Sequence, residues 1–233
     1  MGDGPPRRVL ILGANGPSGR QTVQQGLARG LAVDALTRHP EAFPIRHERL
    51  RVIGGDAKDP STIDAAVAWC DAVISVIGTG FTWRPVEVYS SSARLIIAAM
   101  QHYGRRRLVV VTSGGVSAEV RHGGILQHLT FLLTRKTFTR TVYDDMEEME
   151  RLVSTSGLDW TVVRPPVLSD DPGAGSAAAE NSIDGPCIAR EGLATMLLDQ
   201  LDDDHYLRKI AAVATPGLKV DVVKTIRRDF LKR

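Results

Sequence analysis

The chain has 233 residues, 43 % of them apolar, and 29 basic against 27 acidic side chains leave a net charge of +2. That length suits one large globular domain, and the balanced charge offers no basic stripe for nucleic acid. Two cysteines fit a reduced, cytoplasmic compartment better than a disulfide scaffold, and no run of residues approaches the ~20 apolar residues of a membrane span or forms the core of a signal peptide.

Taken in chain order, short apolar runs predict strands at 8–12, 32–37, 50–54, 71–77, 107–113, 159–164 and 209–214. Helical patterns alternate with them at 17–29, 60–69, 85–103, 140–156 and 190–201. Alternation of this kind specifies a parallel sheet with helices on both faces. The runs Val73–Ile77 and Leu108–Val111 read as central strands buried on both sides. Asp59-Pro60-Ser61 is a helix start, with proline at the first turn. Ser169–Glu180 reads as a loop on composition, and the basic, amphipathic stretch 218–233 as a solvated terminal element. The expectation is one domain over 1–233, α/β and doubly wound with a parallel, Rossmann-type sheet. A small C-terminal substrate region is expected mainly at 115–140 and 165–190. Cys70 and Cys187 read as buried thiols.

Four points would line the carboxyl edge of such a sheet, where ligands bind. The first follows the opening strand: Gly13-Ala14-Asn15-Gly16-Pro17-Ser18-Gly19. There, glycines allow a sharp turn and close approach of backbone to a pyrophosphate at a helix N-terminus. The second is Thr37-Arg38, where an arginine fork can grip a 2′-phosphate, so NADP(H) is expected in preference to NAD(H). Asp34 also falls at a suitable distance from Gly13, but it lies roughly 13 Å before Arg38 at ~3.3 Å per strand residue, inside the strand. The third is Gly54–Asp59, where Asp56 can accept from an adenine amine or else cap the next helix. The fourth is Ile77-Gly78-Thr79-Gly80, small enough for a ribose and phosphates to pass.

These residues, together with Asp71–Gly78 and above all Ser156-Gly-Leu-Asp-Trp-Thr-Val-Val-Arg-Pro165, resemble an atypical short-chain dehydrogenase/reductase. The group they are most similar to is the NAD(P)H-binding, NmrA-like set that includes biliverdin IX-beta/flavin reductases. Cys187–Ala194 resembles the segment that opens a late helix in that set. The resemblance implies an NADP-type cofactor contacted by Gly13, Asn15, Gly16, Ser18, Gly19, Arg38, Asp56 and Gly78. Pro17, Ala57, Ile77, Thr79 and Pro165 complete the candidate cofactor set.

Carbonyl reduction in the larger superfamily uses a tyrosine with a lysine four residues on. Tyr143 is followed at that spacing by Glu147, and counting back from Arg164 puts the pair's positions on Val142 and Met146. These two lie on the apolar stripe of a core-facing helix, so the pair is read as absent. The remaining catalytic candidate is Ser113, which can hydrogen-bond a substrate carbonyl or be satisfied by backbone at its strand end. Asp144-Asp145 resembles the Asp-Asp-His of biliverdin IX-beta/flavin reductases, with Met146 in place of histidine. Candidate substrate residues are Phe81, Trp83, Ser113 and Tyr143. The segment 115–140, rich in apolar residues and cations, reads equally as pocket lining or as a lid or dimer face. Histidine and cysteine spacings predict no metal. The expected activity is NADPH-dependent hydride transfer to a conjugated, aromatic or quinone-like molecule. The alternatives are a non-catalytic NADP(H)-binding sensor and a non-redox isomerase or cyclase. A monomer or homodimer is expected, acting on a small molecule.

Overall fold

In the computed structural model of the protein, the described residues are 7–79, 84–116, 140–171, 176–180 and 185–215. They form strands β1 (Arg8–Leu12), β2 (Ala32–Thr37), β3 (Leu50–Gly54), β4 (Ala72–Ser75), β5 (Arg107–Val111), β6 (Asp159–Arg164), β7 (Val167–Ser169), β8 (Ala177–Glu180), β9 (Cys187–Ala189) and β10 (Lys209–Ala214). The helices are α1 (Pro17–Ala28), α2 (Pro60–Val67), α3 (Val88–His102), α4 (Arg140–Ser154) and α5 (Arg190–Asp199).

The main sheet runs in the order β3-β2-β1-β4-β5-β6-β10-β8, parallel throughout except for β8, which pairs antiparallel with β10. This bears out the doubly wound, Rossmann-type expectation. The chain builds outward from β1 through β2 to β3, then returns to lay β4 on β1's other side. Strand order therefore reverses between β1 and β4, which opens a crevice at their carboxyl ends. Along β1, Val9 and Ile11 join a core with α1 and α5, while Leu10 and Leu12 join one with α2, α3 and α4. Period-two alternation thus feeds two helical layers, and β1 is buried on both faces.

Predicted and observed elements agree to within a few residues, and β4 and β5 each stop two residues before their expected ends. One expectation is corrected: Ser169–Glu180 is not all loop. Ala177–Glu180 is an edge strand in register with Ala214–Ala211, fastened by a Glu180–Lys209 ion pair. Alanine has little intrinsic preference for strands, so the pairing comes from the open edge of β10 rather than from local sequence. The tail at 218–233 lies outside the described residues. No helix among the described residues is long and apolar enough to cross a membrane.

Both cysteines are buried, and burial pushes the Cys70 thiol up to about 12 and the Cys187 thiol in the same direction. Neither has the lowered pKa of a reactive thiolate.

Candidate functional site

Beyond the carboxyl ends of the parallel strands lies a cavity of about 980 Å³. Its floor at one end is the turn from β1 into α1. Gly13 has φ +75°, and a Cβ there would lie 2.6 Å from the Val76 carbonyl oxygen. A Cβ at Gly19 would lie 2.3 Å from the Gly13 carbonyl oxygen. These two glycines are required by the chain's own packing. Helix α1 then starts at Gly16 with proline at its first position, no side-chain cap and no acidic residue in its first turn. Its first N–H groups are left for an anion. Gly78, across the crevice, also lines the cavity, and a Cβ there would meet nothing within 4 Å. An uncapped helix start facing open glycine backbone fits a dinucleotide's phosphates.

At the end of β2, Arg38 is exposed, lines the cavity, and makes no hydrogen bond among the described residues. Asp34 is fully buried inside the strand. Its carboxylate is held by Arg51 Nη2 at 2.5 Å and Nε at 3.0 Å, and by Arg8 Nη1 at 2.9 Å. As its position implied, it is committed to structure. After β3, Asp56 accepts from the Lys58 N–H at 2.9 Å, while Asp59 caps α2 through Ser61 and Thr62. The capping alternative for Asp56 is therefore taken by Asp59. Asn15 reaches the cavity too, with its side-chain oxygen accepting from Arg20 at 2.8 Å.

The other end of the cavity is apolar. Val142, Tyr143 and Met146 from α4 face Val111, Pro166 and Leu168. Helix α4 contains no lysine. Ser113 lies between these walls at the exit of β5, its Oγ accepting from the Gly115 N–H at 3.2 Å, so its own hydroxyl hydrogen remains for another partner. Beneath it, Thr112 donates to Glu150 at 2.7 Å, and Glu150 holds Arg164 through two bonds of 2.9 and 2.5 Å. Thus every candidate cofactor residue, Gly13, Asn15, Gly16, Pro17, Ser18, Gly19, Arg38, Asp56, Ala57, Ile77, Gly78, Thr79 and Pro165, lines this one cavity with Ser113 and Tyr143. Phe81, Trp83 and most of 115–140 lie outside the described residues.

Three features escaped the sequence reading. Tyr89 is buried on the cavity wall, and its hydroxyl accepts from the Thr79 N–H at 3.1 Å. Burial raises its pKa, so the phenol stays protonated at neutral pH. Asp145, read as half of an Asp-Asp pair, accepts from the backbone N–H groups of Tyr89 and Ser90 at 2.9 and 3.1 Å. It caps α3 from the neighbouring helix, a partnership with no local sequence pattern. The third is Arg190, which opens α5 beside the glycine turn. Its segment stood out only through family resemblance.

The fold and this crevice define a dinucleotide-binding α/β protein, and comparison with known proteins agrees. A family model described as NAD(P)H-binding matches residues 13–204, and the chain belongs to that family. Among curated relatives, a (4-alkanoyl-5-oxo-2,5-dihydrofuran-3-yl)methyl phosphate reductase of Streptomyces griseus is 27 % identical over 217 residues, covering 89 % of this chain and 68 % of that enzyme. A short-chain dehydrogenase/reductase of Veillonella parvula in complex with NADP superposes with a TM-score of 0.77 at 20 % identity, covering 92 % of this chain and 97 % of the other. ChuY, an anaerobilin reductase of Escherichia coli O157:H7, gives 0.69 at 22 %, over 91 % and 99 %. The structural likeness is one of fold.

Proposed function

We propose that the protein is an NADPH-dependent reductase that delivers hydride to a conjugated, aromatic or quinone-like small molecule. One observation carries this reading: a single cavity joins the glycine turn and an uncommitted Arg38 to a largely apolar wall that also holds the Ser113 and Tyr143 hydroxyls. The cofactor supplies the hydride. The chain's part is to hold it at Gly13–Gly19 and Gly78 and to take the 2′-phosphate on Arg38. It also excludes water with Val142, Met146 and Leu168, and offers the Ser113 hydroxyl to an oxygen of the acceptor. With valine and methionine where a Tyr-Lys pair would stand, burial and orientation do most of the work, and solvent supplies the proton. The reductase names of the Streptomyces and Escherichia relatives support the reaction class.

The direct test is NADPH oxidation followed at the nicotinamide absorbance, with flavin, quinones and a linear tetrapyrrole as acceptors, beside NADPH binding by calorimetry. Turnover with any of these acceptors is expected. Arg38→Ala is expected to weaken NADPH at least about tenfold, the loss of one charge-assisted contact, while NADH is nearly unchanged. Equal losses for both cofactors would remove Arg38 from the 2′-phosphate. Ser113→Ala is expected to lower kcat about tenfold with NADPH affinity unchanged, as for one lost hydrogen bond in the transition state. An unchanged kcat would leave Ser113 a strand-end hydroxyl. The same absence of a Tyr-Lys pair favours a second reading, a non-catalytic NADP(H) sensor. Tight NADPH binding without oxidation by any acceptor would select it.

A further inference from the structure

Helices α1 and α5 lie side by side and start at the same edge of the sheet. Arg190 at the start of α5 meets Ser18 at the start of α1, Gln25 meets the Glu191 carbonyl, and Arg29 pairs with Asp199 at the far ends. Two helix N-termini, each carrying a partial positive charge, therefore converge beside the glycine turn. Arg190 adds a full positive charge at that place. Its side chain is only 13 % exposed and lines the cavity.

Taken alone, this is an unfavourable arrangement. A cation in the first turn of a helix opposes the helix dipole, and here it faces a second helix start as well. Compensation comes from the exposed Glu191 in the same first turn and from Asp170, bonded to Arg190 Nε at 2.7 Å, but Asp170 is itself 48 % exposed, so both attractions are screened by solvent. Arg190 Nη1 donates to Ser18 Oγ at 3.1 Å. The rest of the guanidinium fork has no hydrogen-bond partner among the described residues. A largely buried guanidinium at two positive helix ends thus has one half-exposed carboxylate as its bonded anion, and its remaining N–H groups lie beside the glycine turn.

We infer that Arg190 is a pyrophosphate-binding residue, a cationic clamp from α5 that reaches the phosphates from beside the glycine turn. The inference rests on the cofactor reading above. In this role Ser18 accepts from Arg190 and turns its own hydroxyl hydrogen toward a phosphate oxygen. The clamp reads the part that NADPH, NADH and ADP share, whereas Arg38 reads the 2′-phosphate. It also ties the cofactor to β7 and β9 through Asp170, so phosphate binding and the substrate-side strands are joined at one side chain.

The test is calorimetry of NADPH, NADH, ADP and adenosine 2′-monophosphate on the wild type and on Arg190→Met, which keeps the stem and removes the charge. NADPH, NADH and ADP are each expected to lose at least about tenfold, the effect of one charge-assisted contact. Adenosine 2′-monophosphate, which lacks the pyrophosphate, is expected to bind as before. Arg190→Lys is expected to recover part of the loss. The free Arg190→Met protein is expected to melt no lower than the wild type, because the charge removed opposed both helix ends. Unchanged affinities, or an equal loss for adenosine 2′-monophosphate, would overturn the assignment and make Arg190 a packing residue. A wild type that binds none of the four ligands fails differently: it overturns the cofactor reading itself and the clamp with it.

Discussion

Gly19→Ala is expected to cost both the fold and the ligand, while Gly78→Ala costs the ligand alone. At Gly19 the new methyl carbon would lie 2.3 Å from the Gly13 carbonyl oxygen and 2.7 Å from Ala14 Cα. Both neighbours are backbone and the site is buried, so α1 must move away from the turn. Forcing an extra carbon into a packed site costs about 1–3 kcal/mol. Displacing the helix start also withdraws its N–H groups from the phosphates, so NADPH affinity is expected to fall at least about hundredfold, close to 3 kcal/mol. Thermal melting and calorimetry on the same sample read the two effects. At Gly78, which lines the cavity, a Cβ meets nothing within 4 Å. Its melting temperature is expected to match the wild type, with NADPH weakened about tenfold by lost room near the phosphates. If Gly19→Ala melted and bound as the wild type does, the turn would not be the fixed element argued above.

The same contrast shows what the residues alone could reveal. Read from sequence, the turn's glycines serve a sharp turn and a close approach of backbone, and in the structure these needs fall on different positions. Gly13 and Gly19 are demanded by neighbouring backbone, whereas a Cβ at Gly16 would be only tight, 3.3 Å from the Gly13 carbonyl oxygen. The apolar run of β1, the Asp-Pro-Ser start of α2 and the place of Asp34 inside β2 were legible because each depends on residues a few positions apart. What escaped depends on distant partners. Ala177–Ala179 carries no strand signal and is a strand only because β10 presents an edge. Asp145 looked like chemistry because it sits beside Asp144, yet it caps a helix more than fifty residues away in sequence. Tyr89 looked like one more residue of a helical pattern, and only the return of Thr79 over it makes its hydroxyl part of the cavity wall. The cavity gathers thirteen candidate residues from five separate segments, so the cofactor end was written in local motifs. The substrate end was not, since its walls come from helix faces whose spacing also serves an ordinary core.

The largest loss of stability is expected from Glu150→Ala. Glu150 and Arg164 are 9 % and 11 % exposed in their side chains, and two hydrogen bonds join them between α4 and β6. Arg164 belongs to the Trp-Thr-Val-Val-Arg-Pro run, but its partner is fourteen residues earlier on a helix and leaves no mark in that motif. Removing one member strands a buried guanidinium and orphans the Thr112 hydroxyl, which donates to the same carboxylate. Breaking a buried pair in this way costs about 3–5 kcal/mol, a fall in melting temperature of roughly 10 °C for a chain of this size. Replacing both members, Glu150→Leu with Arg164→Met, is expected to recover most of that loss, because no charge is then left unpaired in the interior. The double-mutant cycle separates the pair's coupling from packing changes at either site. A Glu150→Ala protein within about 1 kcal/mol of the wild type would mean that water reaches the pair and screens it. The pair also bears on the site. Thr112 precedes Ser113 on the cavity wall, so the double variant, folded but without the carboxylate, is expected to lower kcat while leaving NADPH affinity unchanged. That split would show the pair acting on the chemistry through the position of Ser113, since a merely structural pair would leave kcat unaltered once stability is restored.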